Sequence, residues 1–480
     1  MDPFQTTFLD APSYSFAREV LQRGTAAVFL VAFLSTAAQF PALLGERGLL
    51  PVPTLLRSPY VRRSPTLFRW HYSDRMLRIV CAIGAVIAAT LVAGLPQLAA
   101  PWVPLAAFLT LWFGYLSIVN VGQVFYGFGW ESLLLEAGFI VAFLGSNEVA
   151  PPLLAIIALR WLVFRIEFGA GLIKLRGDRS WRDLTAMYYH HETQPMPGPL
   201  SRFAHLAPPW FHRVEVLGNH FAQLVVPFFL FAPQPIAGVA ALIIIATQVW
   251  LVATGNFAWL NVLTIVLAFA AVPDLGAAAV YAETPPWFVL VVVAVSALLL
   301  FLSWWPARNL VSRHQLMNAS FNRWHLVNAY GAFGSVTTER FEIVIEGTLD
   351  GESWLPYEFK GKPGDPTRIP RQFAPYHLRL DWLMWFLALG APDSRWFRVL
   401  LTRLLEADAA TLRLLRTDPL HGRRPAAVRS RLYRYRFASR RERSSERVWW
   451  VREEVGMYTR PTALPGSGRP DAIRPDSNRE

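Results

Sequence analysis

The sequence predicts a multi-pass α-helical membrane protein with about nine transmembrane helices, followed by a mixed α+β, β-hairpin-containing C-terminal domain. Three observations predict it. Of 480 residues, 53% are hydrophobic, only 17% are charged and 19 are Trp, a balance too apolar and aromatic for a soluble enzyme of this length. Apolar runs of spanning or near-spanning length recur through the first 305 residues. Past Trp305 the pattern changes to short alternating stretches and Pro/Gly-rich turns.

The N-terminal segment 1–24, beginning MDPFQTTFLDAPSYSF, is mixed and acidic at its start and does not read as a cleavable signal peptide. Residues 25–305 form the expected polytopic domain, with apolar runs at 25–44, 77–95, 102–122, 129–145, 152–174, 219–234, 236–254, 257–273 and 286–305. The run at 129–145 is short and holds Glu131, and only the TGNFAW turn separates the seventh run from the eighth, so either could be re-entrant. Basic residues in the connection 45–75, and their absence from 96–101 and 274–285, place 45–75 inside. With nine spans the C-terminal region is then inside as well.

The run from Pro152 carries Arg160, Arg165 and Glu167 and ends on Lys174. Charged groups at membrane depth cost about 2.5 to 3.5 kcal/mol each on insertion scales, so these need partners or a use. Arg160, Glu167 and Lys174 recur every seventh residue, with only about 20° of drift per repeat, and so form one polar stripe. Two uses are open: the charges pair with each other and with Glu131 or Glu136 to hold helices in register, or they line a reactive or ligand-binding site.

The loop 175–218 interleaves aromatic and charged residues, among them Asp178, Trp181 and Asp183, and is expected to be structured, with Asp178 or Ser180 capping a short helix through Trp181. Five of the ten His fall between His190 and His220, with Glu192 beside His190 and His191. H-E-X-X-H is absent, although His212, Glu215 and His220 could meet on adjacent turns. Polar anchoring at the membrane surface is the preferred reading, and neither a metal site nor a cofactor is expected.

The C-terminal domain spans 306–460. Phe341, Ile343 and Ile345 alternate with Glu342, Val344 and Glu346, and Asp350-Gly351 supplies a turn, which predicts a hairpin over 340–360. RLDWLMWFLALG at 379–390 predicts an apolar helix too short to span, with Trp382 and Trp385 as candidates for partner or membrane contact. A helix over 395–415 and one further strand-like piece from Arg431 follow, and 461–480 is expected to be a disordered tail.

The single Cys81 excludes an intrachain disulfide and Cys-X-X-Cys chemistry. The net charge of +12 gathers after Trp305, with about 29 Lys and Arg against about 19 Asp and Glu. Membrane lipids are the expected partner of this basic region. No nucleic-acid module accompanies it, so no nucleic acid is expected.

Several strings resemble the lipase maturation factor family: GLIKLRGDRSWRDLT at 171–185, YHHETQPMPGPLS at 189–201, WFHRVEVLGNHFAQLVVPFFLF at 210–231, TGNFAWLNVLT at 254–264, LVNAYGAFGSVTTER at 326–340, YEFKGKPGDPTRIP at 357–370, YHLRLDWLMWFLAL at 376–389 and WWVREEVGMY at 449–458. The resemblance implies a polytopic protein that helps secreted proteins such as lipases fold and assemble, with a secreted protein such as a lipase as candidate client; enzymatic activity is left open, with none the preferred reading. Animal members of the family sit in the endoplasmic reticulum membrane. The Ala, Arg and Pro bias here suggests a GC-rich bacterial genome, and hence a bacterial cytoplasmic membrane. A shorter likeness, GAGLIKLRGDRSW, is similar to vitamin K-dependent gamma-carboxylases. It implies an alternative function, a membrane-embedded enzyme with Lys174 as base on a lipid-like or quinone-like substrate.

Overall fold

The computed structural model describes residues 9–58, 64–276, 280–390 and 395–464. A long first helix organises the bundle. It runs as α1 (Ser15–Leu43), beginning before residue 25 because the apolar face continues through Ala17 and Leu21, which are fully buried. After the short α2 (Val52–Leu55), α3 (Asp74–Ala93) returns along α1, started by the Ser73 side-chain cap and stopped by Gly94 in the left-handed conformation. α4 (Trp102–Val119) and α5 (Gly129–Val141) complete this half around the Phe29, Phe33 and Tyr115 rings.

The second half is built on α6 (Leu153–Arg176), which packs against α5, α10 (Pro209–Leu224), α12 (Leu260–Ala268) and α13 (Pro286–Leu302). Between α6 and α10 the chain forms α7 (Arg179–Arg182), α8 (Met187–Thr193) and α9 (Ser201–His205). The expected helix through Trp181 is thus two pieces, broken where Leu184 takes a positive φ of 59°. α11 (Ile236–Thr254) pairs with α12, and α14 (Trp304–Val311) ends the bundle.

Six helical segments among the described residues are long and apolar enough to cross a membrane: Pro12–Leu43, Asp74–Ala93, Trp102–Val119, Pro209–Phe231, Ile236–Thr254 and Pro286–Val311. Length and composition therefore support six of the nine expected spans. The other three fall short for separate reasons. α5 has 13 residues and reaches only about 20 Å at 1.5 Å per residue. The apolar stretch around α12 stops at Leu260–Ala271. α6, with 24 residues, has the length but carries the charged groups described above.

The C-terminal region folds on a four-stranded antiparallel sheet of order β2-β1-β3-β4. β1 (Arg340–Thr348) and β2 (Leu355–Tyr357) form the expected hairpin, with Ile345 opposite Tyr357 and Asp350 accepting backbone hydrogen bonds within the turn. The alternation is incomplete, because Glu342 is also buried, paired with Arg340 and Lys362. The apolar helix α15 (Arg379–Ala388) follows, then α16 (Arg395–Leu405) and α17 (Ala409–Leu412). A single helix over 395–415 does not form, because Ala407 has a positive φ and Asp408 caps a new start. The strand-like piece from Arg431 is likewise two strands, β3 (Ala427–Phe437) and β4 (Trp450–Thr462), joined through α18 (Arg440–Glu446), whose Ser439–Glu442 capping box starts a helix where one strand was expected. β4 carries ordered backbone through Thr462; of the expected disordered tail, 465–480 lie outside the described residues.

Two close approaches join the sheet region to the bundle. The segment leading into β1 crosses α6 so tightly that a Cβ on Gly169 meets the Tyr330 carbonyl at 2.5 Å, and one on Gly177 meets the Gly334 carbonyl. Glycine is required at both points for contact rather than for backbone conformation.

Candidate functional site

The polar residues of α6 do not share one partner set. Arg160 donates to the carbonyls of Ala270 at 2.9 Å and Leu230 at 3.2 Å and to the Tyr14 hydroxyl at 2.6 Å, so carbonyls rather than a carboxylate satisfy it. Arg165 ion-pairs with Glu136 and donates to the Asn328 carbonyl at 2.7 Å. Glu136 accepts in turn from the Asn328 backbone and side-chain amides and from the Tyr330 hydroxyl, each at 2.8 Å. Pairing with Glu131 or Glu136, one of the two uses left open, is met in part: Arg165 takes Glu136, while Glu131 is claimed by a residue 248 positions away. Arg379 of α15 donates to Glu131 Oε1 at 2.6 Å and to the Phe125 carbonyl at 2.8 Å. Its guanidinium lies 3.5 Å from the Tyr126 ring centre.

Glu167 and Lys174 face a different environment. They stand in the wall of a cavity of about 1130 Å³ bounded by α6, α10, α11, α12, α15 and the crossing segment 317–335. Lys174 Nζ donates to Asn219 Oδ1 and Gln223 Oε1, both at 2.9 Å, and sits 4.7 Å from the Trp181 ring centre. Glu167 Oε1 accepts from Gln248 at 2.7 Å, and Gln248 accepts from Asn261 at 2.6 Å. The other oxygen, Oε2, is buried without a hydrogen-bond partner among the described residues. Both charges are thus held by neutral amides at the edge of an open volume. Such an arrangement suits a ligand that brings its own polar group and an apolar body.

Asp178, Trp181 and the histidines close one end. Asp178 caps α7 through Ser180 at 2.9 Å and accepts from the Val336 amide at 3.2 Å; these two backbone donors hold its carboxyl below the usual range. Trp181 donates to the Phe333 carbonyl at 2.8 Å, and His220 donates to the Trp181 carbonyl at 3.1 Å. His190 packs against the Phe257 and Phe333 rings, and burial pushes its imidazole down to about 3, so it is neutral. Glu192 accepts from the Phe437 amide at 2.7 Å, joining α8 to β3; burial raises its carboxyl. Asp183 is apart from the cavity and pairs with Arg179 on the surface at 2.8 Å.

His191 meets Glu215 of α10, and His212 approaches the same carboxylate. By sequence His212, Glu215 and His220 could meet; the structure brings His191 to the first two instead, and His220 is committed to Trp181. Trp382 is buried against Trp130, ring centres 4.7 Å apart, while Trp385 lines the cavity and donates to the Thr193 carbonyl at 3.0 Å.

Asn219, Gln223, Gln248 and Asn261 were not singled out by sequence. The available signal was that all four are uncharged amides inside apolar helical runs, where a polar side chain requires an internal partner.

Comparison with known proteins decides what surrounds this geometry. Residues 16–279 match the family model of the lipase maturation factor transmembrane domain, and residues 326–460 match that of the lipase maturation factor C-terminal domain. The chain is 40% identical to lipase maturation factor 1 of Bos taurus, over 94% of this chain and 90% of that protein.

The chain belongs to the lipase maturation factor family.

It is also 39% identical to lipase maturation factor 1 of Homo sapiens over 95% of this chain and 89% of that protein, and 28% identical to the human lipase maturation factor 2 over 92% and 82%. No solved structure matches it. The family and the apolar helices make it an integral, multi-pass membrane protein. The relatives named here are vertebrate and give the bacterial origin suggested by composition no support. None of them is a carboxylase, so they give the enzymatic alternative with Lys174 as base no support.

Proposed function

We propose that this protein is a membrane-bound factor that assists the folding and assembly of secreted proteins of the lipase class. The observation that carries the reading is the extent of the match: both family domains are present in order, and about 40% identity to a lipase maturation factor 1 runs over 94% of the chain. The geometry supports it by showing what is left free for work. Arg165, Glu136, Glu131 and Arg379 are consumed in tying the C-terminal region to the bundle. The cavity wall around Glu167 and Lys174, with Asp178, Trp181, His190 and Trp385 near its rim, is the polar surface that the fold leaves open. A secretory client is met during export, so the membrane in question is one that such clients cross.

The test is rescue. Cells whose own lipase maturation factor 1 gene is disrupted are given this chain together with a secreted homodimeric lipase, and lipase activity in the medium is measured per unit of lipase protein. Restored specific activity is the expected result. Inactive lipase beside abundant, membrane-inserted chain overturns the proposal. Reporter fusions after Leu464 then establish which side the sheet domain faces; the client's side is expected, against the inside placement that nine spans give.

A further inference from the structure

Beside the cavity, α8 and α10 bring His191, His212 and Glu215 together so that one ligand atom from each lies within 4.8 Å of the others. His191 is 1% exposed and His212 3% exposed, and Glu215 is also part of the cavity wall. The polar accounting among them does not close while both imidazoles are neutral. His212 Nε2 lies 3.2 Å from the His205 carbonyl, which can only accept, so Nε2 carries the hydrogen. In the neutral ring Nδ1 then carries a lone pair. It is buried without a hydrogen-bond partner and faces Glu215 Oε2 at 3.5 Å, acceptor against acceptor.

His191 repeats the problem from the other side. Its Nε2 is 3.1 and 3.2 Å from the two Glu215 oxygens, and its Nδ1 is buried with no partner. A lone pair on Nε2 confronts the carboxylate; a hydrogen there leaves the buried Nδ1 lone pair unanswered. A single cation held at the common point of His191 Nε2, His212 Nδ1 and Glu215 gives the His212 Nδ1 lone pair and the facing carboxylate one shared partner, with His191 Nδ1 then carrying the ring hydrogen. The outer contacts are those a metal site uses: the His205 carbonyl fixes the His212 tautomer, and Trp250 Nε1 donates to Glu215 Oε1 at 2.6 Å, orienting the carboxylate.

We propose that His191, His212 and Glu215 form a three-ligand site for a zinc-class divalent cation at the edge of the cavity. Two imidazoles and one carboxylate select such a borderline ion over calcium or magnesium, which take oxygen donors. Three protein ligands leave a fourth position for water or for a group entering from the cavity. The site also clips α8 to α10, so metal and the order of the segment between them are coupled.

The experiment uses the full chain in detergent, stripped with a chelator and titrated with Zn²⁺ against a chromophoric competitor, then separately with Co²⁺. The expected result is about one zinc per chain and a visible Co²⁺ band of four-coordinate intensity. His191→Gln, His212→Gln and Glu215→Gln should each weaken zinc binding by at least about 100-fold, more than the roughly 10- to 100-fold cost of losing an outer partner. His220→Gln, on the same helix but outside the group, should leave binding unchanged. Zinc bound equally by wild type and the triple variant overturns the proposal. So does folded wild-type chain that stays colourless with Co²⁺, a readout that does not depend on any variant folding.

Discussion

Arg165 and Lys174 stand on one helix, both buried and both cationic, yet the molecule treats them oppositely. Arg165 has a carboxylate partner, Glu136, which is itself saturated by Asn328 and Tyr330. Lys174 has two amide oxygens and an open volume in front of it. The Arg379–Glu131 pair repeats the first pattern, and Glu167 with Gln248 repeats the second. A buried charge whose counter-charge is already in place is spent on the fold; one held by neutral groups at a cavity wall remains available to an incoming group.

Removing a paired charge should therefore cost most. Arg379→Ala strands Glu131 among buried groups and is expected to destabilise the chain by about 3 to 5 kcal/mol, seen as a lost thermal transition or lost monodisperse yield in detergent. The double change Arg379→Met with Glu131→Leu should recover much of that stability, since no lone charge remains. A double variant no better than the single one would break the comparison.

Acid should attack the same region. Burial pushes His377, which accepts from Trp130 at 3.3 Å beside the Arg379–Glu131 pair, down to about 4, and burial does the same to His325. Both fall below the ordinary 6.5, so between about 6.5 and 4 the unfolded chain binds more protons there and stability drops as pH drops. Asp381, pushed up to about 6 by burial, works the other way and offsets one of the two. These three groups leave a slope of about 1.4 kcal/mol per pH unit, and His190, held down to about 3, adds to it in the same sense, so the thermal midpoint should fall across this window, and Asp381→Asn should steepen the fall.

Lys174→Met leaves two amide oxygens without a donor and takes from buried Glu167 its cationic neighbour but breaks no direct ion pair, and about 1 to 3 kcal/mol is expected, with the fold kept. A loss as large as that of Arg379→Ala would place Lys174 with the structural pairs. The smallest effect is expected from Asp178→Ala, which removes the α7 cap and the Val336 contact, at about 0.5 to 2 kcal/mol. Faster local hydrogen exchange at 178–183 and 334–336, with the rest of the chain unchanged, checks it.

Features under short-range physical control were legible from the residues alone. The apolar runs marked the helices, Asp350-Gly351 marked the hairpin, Asp178 marked a cap, and charges inside an apolar run marked α6 as the segment needing explanation. Breaks set by backbone conformation, at Leu184 and Ala407, escaped it, because neither residue type favours a positive φ and tertiary packing imposes it. The choice of partners escaped it too. Periodicity says which side a residue lies on, but whether Glu131 meets Arg160 or an arginine 248 positions later depends on how α15 docks beneath α5. For the same reason only the tertiary structure brought His191, rather than His220, to Glu215, and left Lys174 and Glu167 facing an open cavity instead of each other. A hydrogen bond is satisfied by whatever packing brings within about 3 Å, and that distance is a property of the assembled bundle.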